Sequence, residues 1–355
     1  MTQIAAGGEE GKKRNFSPWA SWMLKLAATE PVDPLPSHLE DLQDLDAWRD
    51  RVRARLAEGL GPAPEPVPLD LETTSSEVVH VDGGGDYRRE RIQFDSESTM
   101  SVPAFLLVPL DRRQPGPAVL AIHGHGPGKS QVCGLTNDPD EPPNGDYAHE
   151  LARRGHVVLA PDLRCFGERL DWNPPDHYAC DTNLVHAVMA GESPLAANLW
   201  DLSRALDVLE QHPLVDPSRI GAVGLSYGAT CTLFLAALDE RIAAAVVSGY
   251  LSSWAEAHKM PWNMCGSQVL PGMLGQFEHV DIAALVAPRP LLVETGQEDD
   301  LFPVDTARAT VADLARVYAH LGAPDRLEHD VFAAGHQWHG ERAYPFLERW
   351  LGNPA

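Results

Sequence analysis

Residues 220–237 read IGAVGLSYGATCTLFLAA. Ile220–Val223 is a short apolar run of strand length, and Ile220–Leu225 is predicted as a strand. Ala229–Ala237 is apolar without Gly or Pro and is predicted as a helix. Between them stands Gly224-Leu225-Ser226-Tyr227-Gly228. A serine on so tight a strand-to-helix turn is lifted above the sheet edge, with a helix N-terminus behind it. The flanking glycines let neighbouring backbone pass close to the hydroxyl. The strand before and the helix after distinguish this pattern from a glycine-rich turn with an incidental serine.

Outward from this turn the chain alternates between the two periods. Upstream, Ala118–Ile122 and Val157–Ala160 are predicted strands, and Tyr147–Arg154 and Asn198–Gln211 are predicted helices. In the second helix Leu199, Leu202, Leu206 and Leu209 share one side. Downstream follow strand Ala243–Ser248, strand Pro290–Thr295, helix Thr306–Leu321, strand Leu327–Phe332 and a closing helix Glu341–Leu351. Apolar strands alternating with helices predict a mostly parallel sheet covered on both faces, with function at the carboxyl ends of the strands. Glu77–His80, Tyr87–Phe94 and Val102–Val108 read as an antiparallel hairpin or meander at the sheet edge. Before them, Leu39, Leu42, Leu45, Trp48, Val52 and Leu56 recur at helical steps until Gly59 and Gly61.

A serine hydroxyl needs a base. Of 15 histidines, His336 has the right address, just past the last predicted strand. His339, three residues on, is the rival and reads as a surface or capping side chain of the closing helix. The base in turn needs a carboxylate to fix its tautomer. Glu298, Asp299 and Asp300 stand together after strand Pro290–Thr295, where a solvated acidic loop is the plain alternative. Serine, then acid, then histidine is the chain order of one known triad arrangement. His123-Gly124-His125-Gly126 follows the strand Ala118–Ile122, and its backbone can supply an oxyanion donor. The N–H of His125 is the candidate, with the N–H of Tyr227 as the second. No third metal ligand stands at suitable spacing from His123 and His125, so no metal or other cofactor is expected.

These pieces resemble the α/β-hydrolase superfamily over about residues 77–351. More narrowly they resemble a bacterial esterase group related to dienelactone hydrolases and acetyl xylan esterases. The runs that carry this are His123-Gly124-His125-Gly126, Ala160–Arg169 (APDLRCFGER), Cys265-Gly266 and Ala287–Leu292 (APRPLL). The resemblance implies an α/β-hydrolase fold with Asp299 as the acid, three residues after Gly296 and four before Pro303. Serine rather than cysteine at 226 implies ordinary ester hydrolysis. The sequence shows no long apolar lid helix, and the insertions mix Trp and Tyr with Asn173, Asp176, His177, Asn183 and Asn263, so short-chain, acetyl-type esters, acetylated carbohydrates among them, are the expected substrates. The alternatives are a peptidase or amidase on the same triad, and a non-catalytic binding protein of the same fold. A propeller of the kind oligopeptidases of this superfamily carry does not fit in about 75 mostly helical N-terminal residues.

The 355 residues divide into a leader (1–16), a helical extension and linker (17–68) and a catalytic domain (69–355). Two insertions, near 166–194 and 250–280, interrupt the strand–helix rhythm. Their Trp172, Tyr178, Trp254, Trp262 and Met264 are pocket candidates. Arg164 and Glu168 read as an ion pair or as substrate contacts. With 28 Lys+Arg against 51 Asp+Glu the net charge is −23, which disfavours nucleic acid and anionic lipid surfaces as partners. No apolar run approaches the roughly 18 residues of a membrane span. The first 15 residues lack the apolar core of a signal peptide, and five cysteines without a CxxC pair argue against a disulfide framework. The chain is expected to be cytoplasmic, to act on a small-molecule ester, and to pair through its N-terminal helices if it forms a homo-oligomer.

Overall fold

The computed structural model describes residues 25, 28–36, 44–136, 145–170, 179–257 and 264–352. The first described helix, α1 (Leu45–Leu60), is followed by the edge meander β1 (Glu72–Val79), β2 (Tyr87–Glu97) and β3 (Met100–Pro109). All three strands pair antiparallel, with Glu77 opposite Arg89 and Ile92 opposite Ala104. The parallel section then begins with β4 (Gly116–Ile122), α2 (Lys129–Val132), α3 (Tyr147–Arg153) and β5 (Val157–Pro161). Helices α4 (Ala179–Ala190) and α5 (Pro194–Gln211) lead to β6 (Val215–Leu225), α6 (Tyr227–Leu238) and β7 (Ile242–Ser248). Short helices α7 (Trp254–Ala257) and α8 (His279–Ala284) precede β8 (Leu291–Gly296), α9 (Val304–His320), β9 (Leu327–Phe332) and α10 (Ala343–Leu351).

The nine strands lie in the order β1-β2-β3-β5-β4-β6-β7-β8-β9. From β5 to β9 every neighbour is parallel. Because β4 lies between β5 and β6, the winding reverses there, which opens a crevice at its carboxyl end. Register aligns those ends: Ile122 pairs with Gly224, Leu225 with Ser248 and Gly296 with Phe332. Every residue of β4, β5 and β8 is buried, as strands covered on both faces require.

Two hydrophobic clusters flank the sheet. One includes Trp48, Leu206, Phe234 and Leu314. The other is built on Tyr147, Leu151, Trp338 and Phe346, with Tyr147 stacked on Trp338 at 4.5 Å. Helix α1 belongs to the first. Its Leu45, Trp48, Val52 and Leu56 are all buried, each contributing about 1.5–3 kcal/mol of transfer free energy. Arg49 donates to the carbonyl of Leu285 at 3.2 Å, and Trp48 Nε1 to that of Asp33 at 3.0 Å. Leu35 N–H donates to Asp281 Oδ1 at 2.8 Å. The described apolar face of α1 is therefore covered by its own chain; Leu39 and Leu42 lie outside the described residues.

Most predicted elements lie within a few residues of the observed ones. Helix α5 begins four residues early, because Ser193 caps it by accepting from Ala196 N–H at 3.4 Å and Pro194 suits the first turn. Helix α10 begins at Ala343 rather than Glu341, which leaves His339 in a loop. Among the described residues no helix is long and apolar enough to cross a membrane.

Candidate active site

Ser226 sits between the last residue of β6 and the first of α6, with φ 59° and ψ −119°. A positive φ is uncommon for a residue with a side chain, and the cost is accepted where packing over-determines the turn. Here the packing is explicit. A β-carbon at Gly224 would lie 2.3 Å from the Gly228 carbonyl, and one at Gly228 would lie 2.0 Å from the Ile122 oxygen. Only glycine fits at either position, so β4, β6 and α6 close on one another and present Ser226 outward. Its backbone N–H is held by the Ser248 carbonyl at 2.9 Å. The residue is half-buried, and its side chain makes no capping bond to α6.

The loop after β9 brings His336 to the same edge. Its Nδ1 and Asp299 Oδ2 are 2.8 Å apart. Asp299, on the loop after β8, is buried, and its Oδ1 accepts from Leu301 N–H at 2.8 Å and Phe302 N–H at 3.0 Å. Asp300 is exposed. The opposite nitrogen of His336, Nε2, is buried and has no hydrogen-bond partner among the described residues. Such bonds are often long before substrate binds. The imidazole ring lies over Gly249, where a β-carbon would approach Cε1 to 3.0 Å, and it stacks on Phe302 at 5.7 Å. Gly249 and Phe302 were not singled out by sequence reasoning. Their signal is position: Gly249 directly follows β7, and Phe302 lies three residues past Asp299.

His339 is committed elsewhere. Its Nδ1 is 2.7 Å from Asp330 Oδ2, and its ring stacks on Phe332 at 4.5 Å. The loop after β4 packs on the serine turn, since a β-carbon at Gly124 would meet the Leu225 oxygen at 2.9 Å and Ser226 Cβ at 3.4 Å. His123 anchors that loop. Its Nδ1 is 2.7 Å from the Gly124 oxygen, and its Nε2 accepts from Leu163 N–H at 3.0 Å. Burial lowers its pKa to about 4, so the ring is neutral and both nitrogens are occupied. The first N–H of a helix has no intrahelical acceptor, which suits Tyr227 N–H for an oxyanion. The Tyr227 side chain is buried and its hydroxyl accepts from Asn198 Nδ2 at 2.8 Å.

Several candidates lie differently from expectation. Trp254 is buried in the core, edge-on to His279 at 4.4 Å and beside Phe234. Met264 is half-buried against the same core. Trp172, Tyr178 and Trp262 fall outside the described residues. Arg164 and Glu168 are not paired with each other. Arg164 Nε is 2.8 Å from Asp201, and Glu168 pairs with Lys129 and Arg91. The insertion near 166–194 is also not all loop, since it contains α4. A cleft of about 470 Å³ runs beside the post-β4 loop, lined by Gly126, Phe166, Glu168 and Cys180 among others.

A mostly parallel sheet with GxSxG after β6, an acid after β8 and a histidine after β9 defines an α/β-hydrolase. Residues 23–332 match the Abhydrolase family, and the chain belongs to it. It is 28% identical over 311 residues to the Bacillus subtilis (strain 168) protein named "Putative hydrolase YtaP", covering 84% of this chain and 98% of that one. Among solved structures, a "putative acetyl xylan esterase" from Bacteroides fragilis aligns with a TM-score of 0.73 at 21% identity, over 92% of this chain and 84% of that one. A glucuronoyl esterase from Solibacter usitatus aligns with a TM-score of 0.64 at 18% identity, over 87% and 93% respectively.

Proposed function

We propose that the protein is a cytoplasmic serine carboxylic-ester hydrolase acting on short-chain, acetyl-type esters, with acetylated carbohydrates as a natural class. The observation that carries this reading is the 2.8 Å contact between buried Asp299 and His336, at the same sheet edge as a serine on a strained turn. In this reading Ser226 Oγ attacks the ester carbonyl while His336 Nε2 takes its proton. Asp299 holds the ring with Nδ1 protonated and stabilises the imidazolium. The N–H groups of His125 and Tyr227 receive the developing oxyanion. His336 returns the proton to the departing alcohol, and water then hydrolyses the acyl-serine through the same base.

Carbohydrate esters are favoured by the two structural neighbours, whose names describe esterases, one of them an acetyl xylan esterase. The cytoplasmic assignment is supported by five cysteines that are all free and buried. The test is hydrolysis of p-nitrophenyl esters together with labelling by a fluorophosphonate. Ser226→Ala should remain folded, lose the label and lose on the order of 10⁴–10⁶ in kcat. Acetate or butyrate should exceed palmitate by at least about tenfold in kcat/KM, or roughly 1.4 kcal/mol. Activity of the Ser226→Ala protein within tenfold of the wild type would overturn the nucleophile, and a preference for palmitate would overturn the substrate class.

A further inference from the structure

Cys180 and Cys265 lie 55 and 140 residues from His125 along the sequence, but the fold brings both to it. The insertion carrying α4 and the one carrying Cys265-Gly266 meet directly: Gly266 N–H donates to Asp181 Oδ1 at 2.8 Å. A β-carbon at Gly266 would lie 2.6 Å from the Cys180 oxygen, so the two backbones are in contact. Gln268 ties the second insertion to α6 through a 2.9 Å bond to Thr230 Oγ1. The result places His125 Nε2 at 3.1 Å from Cys265 Sγ and 3.7 Å from Cys180 Sγ. All three ligand atoms lie within 4.8 Å of one another.

We propose that His125, Cys180 and Cys265 form a binding site for one thiophilic metal ion of the Zn²⁺ type, with water from the adjacent cleft as its fourth ligand. The distances carry this. With Zn–S near 2.3 Å and Zn–N near 2.0 Å, a tetrahedral site has an S···N edge of roughly 3.5 Å, and the two observed separations bracket it. Two sulfurs and one imidazole are the soft donor set that Zn²⁺ prefers over hard cations. Three protein ligands with one open position is also the pattern of zinc sites that exchange a ligand. The cleft that includes Gly126 and Cys180 gives the ion a path inward.

Binding of M²⁺ by two thiols and one imidazole breaks two S–H bonds, forms two M–S bonds and one M–N bond, and releases two protons without any change of oxidation state.

The test uses the reduced full-length protein under anaerobic conditions, titrated with Co²⁺ as the spectroscopic substitute. One equivalent should produce thiolate-to-cobalt charge-transfer absorption with tetrahedral d–d bands, release about two protons into a weak buffer, and yield to Zn²⁺. Cys180→Ser and Cys265→Ser should each abolish or markedly weaken the charge-transfer band, while Cys133→Ser and Cys231→Ser retain it. A second measurement avoids variants altogether. Zn²⁺ should slow N-ethylmaleimide labelling of the wild-type protein at Cys180 and Cys265, read by peptide mass spectrometry, without changing Cys133 and Cys231. Absence of a thiolate band in the wild type, or Zn²⁺ protection that misses both Cys180 and Cys265, overturns the proposal.

Discussion

Replacing Asp299 by asparagine removes one charge and keeps the shape, and the surrounding bonds dictate how the new amide must orient. Leu301 and Phe302 both donate to Oδ1, at 2.8 and 3.0 Å, and Oδ2 faces His336 Nδ1 at 2.8 Å. In Asp299→Asn the amide oxygen must take the Oδ1 place, because an NH₂ there would confront two N–H donors. The NH₂ then points at Nδ1 and requires that nitrogen to be an acceptor. The ring proton moves to Nε2, the atom that receives the serine proton in the proposed mechanism. A wrong tautomer in an otherwise intact triad costs about 10⁴ in kcat, or about 5 kcal/mol of transition-state stabilisation. Exposed Asp300 carries no such bond, so Asp300→Asn should stay within about threefold of the wild type. The assay is steady-state hydrolysis of p-nitrophenyl acetate with active-site titration, alongside circular dichroism and Tm to show an intact fold. A loss below tenfold for Asp299→Asn, or an equal loss for Asp300→Asn, would refute the reasoning.

His336→Ala should abolish turnover while His339→Ala chiefly lowers Tm, since His339 binds Asp330 and stacks on Phe332; the reverse ranking would reassign the base. Trp48→Ala empties a fully buried site in α1 and should cost about 3–5 kcal/mol in denaturant unfolding; under 1 kcal/mol would mean that α1 is only loosely docked. Burial raises the Glu294 pKa to about 7, against about 4.3 in an unfolded chain, so the folded state holds the extra proton between those values. Stability contributed by this group therefore falls as pH rises through that window, on the order of 3 kcal/mol in full. In Glu294→Gln that slope is absent, and the Tm difference, variant minus wild type, should climb from pH 4.5 to 7.5; a flat difference rules the group out.

The legible parts of the fold are those where burial on both sides writes itself into composition. Strands β4 and β5 are unbroken apolar runs because no residue in them meets water, and β8 opens on the apolar run Leu291–Val293 for the same reason. Strand β6 reads five residues short in the sequence because its first part, Asp216–Arg219, is polar and partly exposed, and carries no hydrophobic signal. Helix α4 is invisible for the opposite reason: Val185, Val188 and Met189 are exposed and only Cys180 is fully buried, so it has no buried stripe to detect. The serine turn and the address of His336 follow from strand ends alone. The choice among three neighbouring acids does not, since it rests on which carboxylate Leu301 and Phe302 capture. Trp254 shows the limit of composition, because an aromatic residue in an insertion can face the core or a ligand with the same sequence around it.

The docking of α1 has a consequence for synthesis. Its partners, Asp281 for Leu35 and the Leu285 carbonyl for Arg49, lie more than 230 residues downstream. At roughly 5–20 residues per second, the stripe of Leu45, Trp48, Val52 and Leu56 leaves the ribosome on the order of 10–50 s before those partners exist. For that interval the nascent chain carries an amphipathic helix whose apolar stripe lacks these downstream partners. Contacts this distant in sequence also raise the contact order, and with it the time to reach the native state after the last residue is added. Helix α1, made before the sheet, is thus among the last elements to be locked.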